Sequence, residues 1–139
     1  MLPKSTNHLY HGHRAAAWVL LVLSLFIFVP GGVHVFLPDG GAGVIAGIDL
    51  TRGGDRIIGV FAWAGATQMA WGAMLFAVAA RYRNLLGFAL SLLLAERALM
   101  ALNMWVLKDL GGDKPPGAYG VLIFLPIVAL ALAASRRRA

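Results

Sequence analysis

The sequence predicts an all-α polytopic membrane protein, an up-down bundle of four transmembrane helices, and three observations carry that prediction. Of 139 residues, 60% are hydrophobic and only 13% are charged, whereas a soluble domain carries about 45–50% apolar and about 25% charged residues. The apolar residues form four runs near the roughly 20 residues that a helix needs to cross a hydrocarbon core of about 30 Å. The alternating polar–apolar period of a membrane barrel is absent, and a chain in lipid must satisfy its backbone polar groups internally, so the runs are read as helices. A length of 139 residues suits a single transmembrane domain.

The four spans run over about 15–37, 57–80, 85–107 and 117–135, joined by a long loop at 38–56, a tight basic turn at 81–84 and a shorter loop at 108–116. The first span follows a tail containing Lys4 and Arg14. Its charged start resembles a signal peptide, but no convincing A-x-A site follows the apolar run, so it is read as a retained span. Pro30, followed by Gly31 and Gly32, removes a ladder hydrogen bond and predicts a kink, as does Pro126 in the fourth span. In the second span, Phe61, Gly65, Gln68, Gly72 and Phe76 form one helical stripe. Gly65 and Gly72 are its helix-packing residues, where small side chains let backbones approach.

Charge sets the expected orientation. Lys4, Arg14, Arg81, Arg83, Arg136, Arg137 and Arg138 fall on one side of the spans. Arg52, Arg56, Lys108 and Lys114 fall on the other, diluted by Asp39, Asp49, Asp55, Asp109 and Asp113. The positive-inside rule then places both termini in the cytoplasm of a cell with the chain as a multi-pass protein of the plasma (inner) membrane. A net charge of +6 would suggest nucleic acid in a soluble protein, but here the basic residues flank apolar runs, and nucleic acid is excluded as a partner. With no cysteine, disulfides, thiol redox chemistry and iron–sulfur ligation are excluded.

The 38–56 loop is glycine-rich, and Gly41-Ala42-Gly43-Val44-Ile45-Ala46-Gly47 superficially matches a dinucleotide fingerprint. That motif requires a βαβ unit, which has no place between two spans. The loop is read as an interfacial or re-entrant segment in which Val44, Ile45 and Ile48 meet the headgroups, and Asp49 caps a short turn before Arg52. His8, His11 and His13 in the tail are weak metal candidates, because no cysteine or carboxylate lies nearby to complete a site.

The informative residues are the polar ones inside the spans. Glu96 and Arg97 lie at the middle of the third span, where each costs about 2.5–3.5 kcal/mol on insertion scales. Adjacent helical positions point about 100° apart, so each is expected to need a partner from another helix. Ala89, Leu92, Leu93, Leu99, Met100 and Asn103 share the stripe of Glu96. By depth and periodicity, Glu96, Arg97 and Gln68 are assigned to the floor of an outward-opening pocket, with His34, Asn103 and Asp49 or Arg56 as candidates for its mouth and Ser24 at mid-depth. Glu96 and Arg97 serving only to lock helix packing is the alternative. Trp18, Trp63, Trp71, Trp105 and Tyr82 are read mostly as interface-belt aromatics.

At the level of layout, the chain resembles the small four-helix DoxX-like membrane proteins. A second span entered through Asp55-Arg56-Ile57-Ile58-Gly59, a short basic turn and an arginine within the third span, Arg97, carry the resemblance. It implies an accessory membrane role, in some relatives linked to quinone-associated sulfur oxidation. The expected function is therefore a binding or accessory subunit whose pocket holds a lipid, quinone or small amphipathic molecule. The alternatives are a proton-coupled transporter using Glu96 and a membrane subunit of a quinone-linked redox complex. The expected partners are the bilayer, a lipid or quinone, and a second copy or partner membrane subunit. No cofactor is expected. No triad or paired carboxylates are visible, and nothing demands catalysis.

Overall fold

The computed structural model describes residues 2–108 and 114–136. Four long helices carry the chain: α1 (Arg14–Phe36), α2 (Gly54–Arg81), α3 (Leu86–Leu102) and α4 (Pro116–Arg136). A short 3₁₀ turn (Arg83–Leu85) leads into α3, and a π-turn (Asn103–Leu107) extends it. All four are long and apolar enough to cross a membrane when α3 is taken with its flanking turns as Arg83–Leu107, so the described residues form an all-helical fold of the kind a multi-pass membrane protein has. The expected loop at 108–116 and Arg137 and Arg138 lie largely outside the described residues.

The helices form where apolar runs exceed about 20 residues, and their ends have identifiable causes. α1 starts at Arg14, where the His13 imidazole Nδ1 accepts the Ala15 N–H at 3.2 Å and the His13 carbonyl accepts the Ala16 N–H at 3.1 Å. Those two bonds satisfy donors that an open helix end would leave bare. α2 starts three residues earlier than the hydropathy pattern predicts, at Gly54, because Asp55 and Arg56 join its first turn. Pro30 and Pro126 lie within α1 and α4, and each helix continues past its proline.

The residues fall into two compact units: those up to Val22 with those from Leu75 onward, and Leu23–Met74. In the first, α3 packs on α4. Leu20, Leu75, Leu86, Leu90, Leu93, Val121 and Val128 are fully buried.

The second unit contains the carboxy-terminal part of α1, the loop and most of α2. Its helices meet through backbone. A Cβ at Gly65 would stand 2.6 Å from the Gly31 carbonyl oxygen and 2.6 Å from the His34 Cβ. One at Gly72 would stand 2.9 Å from the Phe28 nitrogen and from the Ser24 carbonyl oxygen. No real Cβ tolerates such distances, so glycine is required for the helices to approach this closely.

The loop between α1 and α2 is a folded series of turns. Asp39 organises it: its carboxylate accepts the N–H groups of Gly41 (2.8 Å), Gly43 (3.1 Å) and Val44 (2.8 Å). Those bonds favour the ionised form and hold the carboxyl below the ordinary carboxylate range. Gly40 and Gly41 have φ of 61° and 75°, a left-handed conformation that a side chain would strain. Asp49 accepts the Thr51 N–H at 2.9 Å, closing a turn before Arg52. Val44 and Ile45 are exposed.

Candidate functional site

The mid-span charges of α3 pair with each other. Arg97 Nε lies 3.0 Å from Glu96 Oε2, which corrects the expectation that each seeks another helix. Their Cα–Cβ bonds diverge by about 100°, but two long flexible stems curve around the helix surface and bring the charged ends together. Arg97 keeps only 14% of its side-chain surface exposed against 37% for Glu96. The Arg97 side chain is therefore the more covered of the two, while Glu96 is partly exposed with its Oε2 buried. Glu96 Oε2 has no hydrogen-bond partner among the described residues, so the contact with Arg97 is ionic rather than a directed hydrogen bond.

Glu96 opens onto a groove of about 540 Å³ along α3, lined by Leu92, Leu99, Met100, Asn103 and Met104 with it. The positions recur at three, four, seven and eight residues, which is one helical face. The stripe assigned to Glu96 from sequence divides here. Ala89 and Leu93 are buried in the core, whereas Leu92 and Leu99 are exposed. Asn103 is the second polar residue of the groove. Its amide donates to the Leu99 carbonyl at 2.9 Å, and its own carbonyl accepts the Lys108 N–H at 2.8 Å across a five-residue step. The helix widens to a π-turn from this residue, a distortion frequent at functional sites.

The π-turn carries Trp105, whose indole N–H donates to the Ala118 carbonyl at 3.1 Å. Its ring meets Tyr119 edge to face at 5.5 Å, and the Lys114 ammonium lies 5.1 Å from its centroid. Trp105 thus ties the end of α3 to the start of α4, a role beyond the interface belt. Trp71 also departs from a belt reading, since its Nε1 is buried without a partner among the described residues. Trp18 and Trp63 are exposed.

Glu96, Arg97 and Asn103 belong to the α3–α4 unit, and Ser24, His34 and Gln68 to the 23–74 unit. Ser24 is fully buried. His34 Nδ1 donates to the Gly40 carbonyl at 2.6 Å and its ring meets Phe61 edge to face at 5.1 Å, so it fixes the end of α1 to the loop. Gln68 Oε1 is buried without a partner among the described residues.

The tail places its histidines differently from a metal set. Among the described residues, no three or more His, Cys, Asp or Glu side chains gather in a metal-binding group. His13 caps α1, while His8 and His11 line a cleft of about 970 Å³ with Tyr10, Arg14, Trp18 and Arg83. Sequence reasoning missed how firmly this tail is docked. The Thr6 N–H and the Ser5 hydroxyl donate to the Arg81 carbonyl at 3.0 and 3.1 Å, and Asn7 Nδ2 donates to the Ala80 carbonyl at 2.8 Å. The Tyr82 hydroxyl and Arg81 Nε both donate to the Pro3 carbonyl at 3.1 Å. The His13 N–H reaches the Ala134 carbonyl at 3.3 Å. At Gly12 the tail backbone is so close to the Ser135 carbonyl that no Cβ fits. The run Ser5-Thr6-Asn7, rich in side-chain donors and acceptors just outside a span, was the available signal.

With this geometry in view, comparison with known proteins is silent: no family model, no curated protein and no solved structure matches the chain significantly.

Proposed function

We propose that this protein is a binding or accessory protein of the plasma (inner) membrane that holds a small amphipathic molecule, a lipid or a quinone, in the α3 groove. One observation carries the reading: a mid-span carboxylate lines a trough of about 540 Å³ that is otherwise aliphatic and methionine-lined except for Asn103. Carboxylates at such depth are expensive unless a partner or function accounts for them. Arg97 offsets the charge, and Glu96, which lines the groove, suits a ligand hydroxyl or other donor beside an apolar tail. Methionine adapts to ligands of irregular shape.

The same reading places four helices in an up-down bundle with both termini cytoplasmic. Docking of the tail on the 80–84 turn and the α4 end supports this, because it gathers Arg14, Arg81, Arg83 and Arg136 at one end of the spans. The DoxX-like layout is compatible with such an accessory role.

The test uses the purified full chain titrated with a short-chain benzoquinone and, separately, a short-chain phospholipid, read by thermal stability. Binding in the groove gives a saturable rise in Tm. Leu99→Trp, which fills the groove, is expected to abolish it, and Glu96→Gln to weaken it about fivefold. A response that grows linearly without saturation, or is unchanged in Leu99→Trp, overturns the proposal.

A further inference from the structure

The cleft under the docked tail lies in the same unit as the α3 groove but is built from other residues and has the opposite character. Its walls carry Arg14, Arg83, His8 and His11, with Tyr10 and Trp18, and among the described residues no carboxylate lines it. A second cleft of about 260 Å³ shares Tyr10, His11 and Arg83 and extends to Arg136. Three stretches of chain far apart in sequence supply these cations, and the hydrogen bonds of the tail hold them together. Among the described residues, neither Arg14 nor Arg83 is in an ion pair.

Charge of one sign gathered in a concave site, without acidic neighbours among the described residues, favours an anion there. Arg83 is positioned for that role: its Nε donates to the Ala79 carbonyl at 2.9 Å and its backbone N–H to Asn7 Oδ1 at 3.3 Å, which fixes the direction of the guanidinium. Burial pushes the Tyr10 phenol up, with Arg83 pulling weakly the other way, so Tyr10 remains a hydroxyl; it donates to the His13 carbonyl at 3.1 Å. The first turn of α1, with its positive dipole end, starts at Arg14.

Level in the membrane separates a lipid from a soluble anion. Arg14 is the first residue of a span, and Trp18 lies one turn further in with 61% of its surface exposed. A molecule bound by its phosphate between Arg14 and Arg83 would lay its glycerol and acyl chains along Trp18. We propose that this cleft binds the phosphate headgroup of an anionic phospholipid, so that the docked tail is a lipid-reading element. The cleft volume suits a headgroup rather than a lone ion, since ligand sites span about 300–1,000 Å³.

The test is native mass spectrometry of the full chain released from detergent, titrated with phosphatidylglycerol or with phosphatidylcholine of the same acyl chains. Wild type is expected to bind phosphatidylglycerol at least tenfold more tightly. Arg14→Gln/Arg83→Gln removes the preference. The single variant Arg14→Gln, whose side chain holds no other part of the described fold, lowers it at least threefold. Arg52→Gln/Arg56→Gln, with the same loss of charge in the other unit, leaves it within twofold of wild type. Inorganic phosphate at 10 mM does not displace the lipid. Equal binding of the two lipids, an undiminished preference in Arg14→Gln, an equal loss in the Arg52/Arg56 control, or displacement by phosphate each overturns the proposal.

Discussion

Where α1 meets α2 in the 23–74 unit, backbone lies against backbone at Gly31, Gly65 and Gly72. In the α3–α4 unit, the buried volume is instead filled by Leu86, Leu90, Leu93, Val121 and Val128. The two arrangements respond differently to error. In lipid, apolar side chains gain little by leaving the surroundings, which are as apolar as themselves, so helix association rests on close packing. A glycine contact has no slack and fails when anything is added. A leucine-filled core fails when something is removed, and it fails more gently because neighbours relax into the space.

The largest expected effect follows from adding atoms. Gly65→Val places carbons against the Gly31 carbonyl and His34, and is expected to destabilise by about 3 kcal/mol or to prevent folding, measured as loss of monodisperse protein and of Tm in detergent. Gly59→Ala, where nothing lies within 4 Å of the new Cβ, is expected to stay within about 0.5 kcal/mol of wild type. A tolerated Gly65→Val would break the comparison.

Removing atoms gives the next effect. Leu90→Ala is expected to cost about 2 kcal/mol, chiefly the cavity contribution, read from thermal unfolding of the reconstituted protein. An effect as large as that of Gly65→Val would mean that both contacts are equally unforgiving.

Asn103→Ala removes one side-chain bond to the Leu99 carbonyl and is expected to cost about 1 kcal/mol. The backbone bond from Lys108 to the residue 103 carbonyl remains available, so the π-turn is expected to survive, with Trp105 fluorescence unshifted. A shifted spectrum would show that the amide side chain, and not the backbone, holds the turn.

The smallest effect is local and pH-dependent. The folded-state carboxyl of Asp39 titrates below its unfolded value. Its contribution is therefore fully present above the unfolded value of about 3.9 and is lost as pH falls through the lower, folded value. Hydrogen exchange at Gly41, Gly43 and Val44 is expected to stay slow at pH 5 and to accelerate only in stronger acid. Asp39→Ala is expected to exchange fast throughout. Slow exchange in that variant would show that the glycine turns hold without the carboxylate.

The legible parts of this fold are those set by runs of one residue type. The spans at 15–37 and 117–135 match α1 and α4 to within a residue at each end, because lipid-like runs are bounded by charge or by turn-forming residues. The hydropathy pattern starts the second span at 57, three residues inside α2, since Asp55 and Arg56 sit in helix although they look like loop. The spacing of Glu96 and Asn103 on one face was readable from period alone. Their link with Arg97 was not, because period describes where a side chain leaves the backbone and not where a flexible stem ends. His34, expected at the mouth of a pocket, holds a turn through the Gly40 carbonyl, a bond that depends on the loop folding back and that spacing along the chain does not reveal.

By itself, the sequence determined that four helices are long and apolar enough to span a membrane, and where the sparse charge lies between them. Those properties follow from local composition, since hydropathy and helical rise need no knowledge of neighbours. Only the tertiary structure decided that Arg97 turns to Glu96, that Trp105 fastens α3 to α4, and that the tail docks across the 80–84 turn and the α4 end to enclose a basic cleft. Each of those depends on groups remote in sequence or free in rotamer, and distance in space, not order along the chain, sets whether they meet.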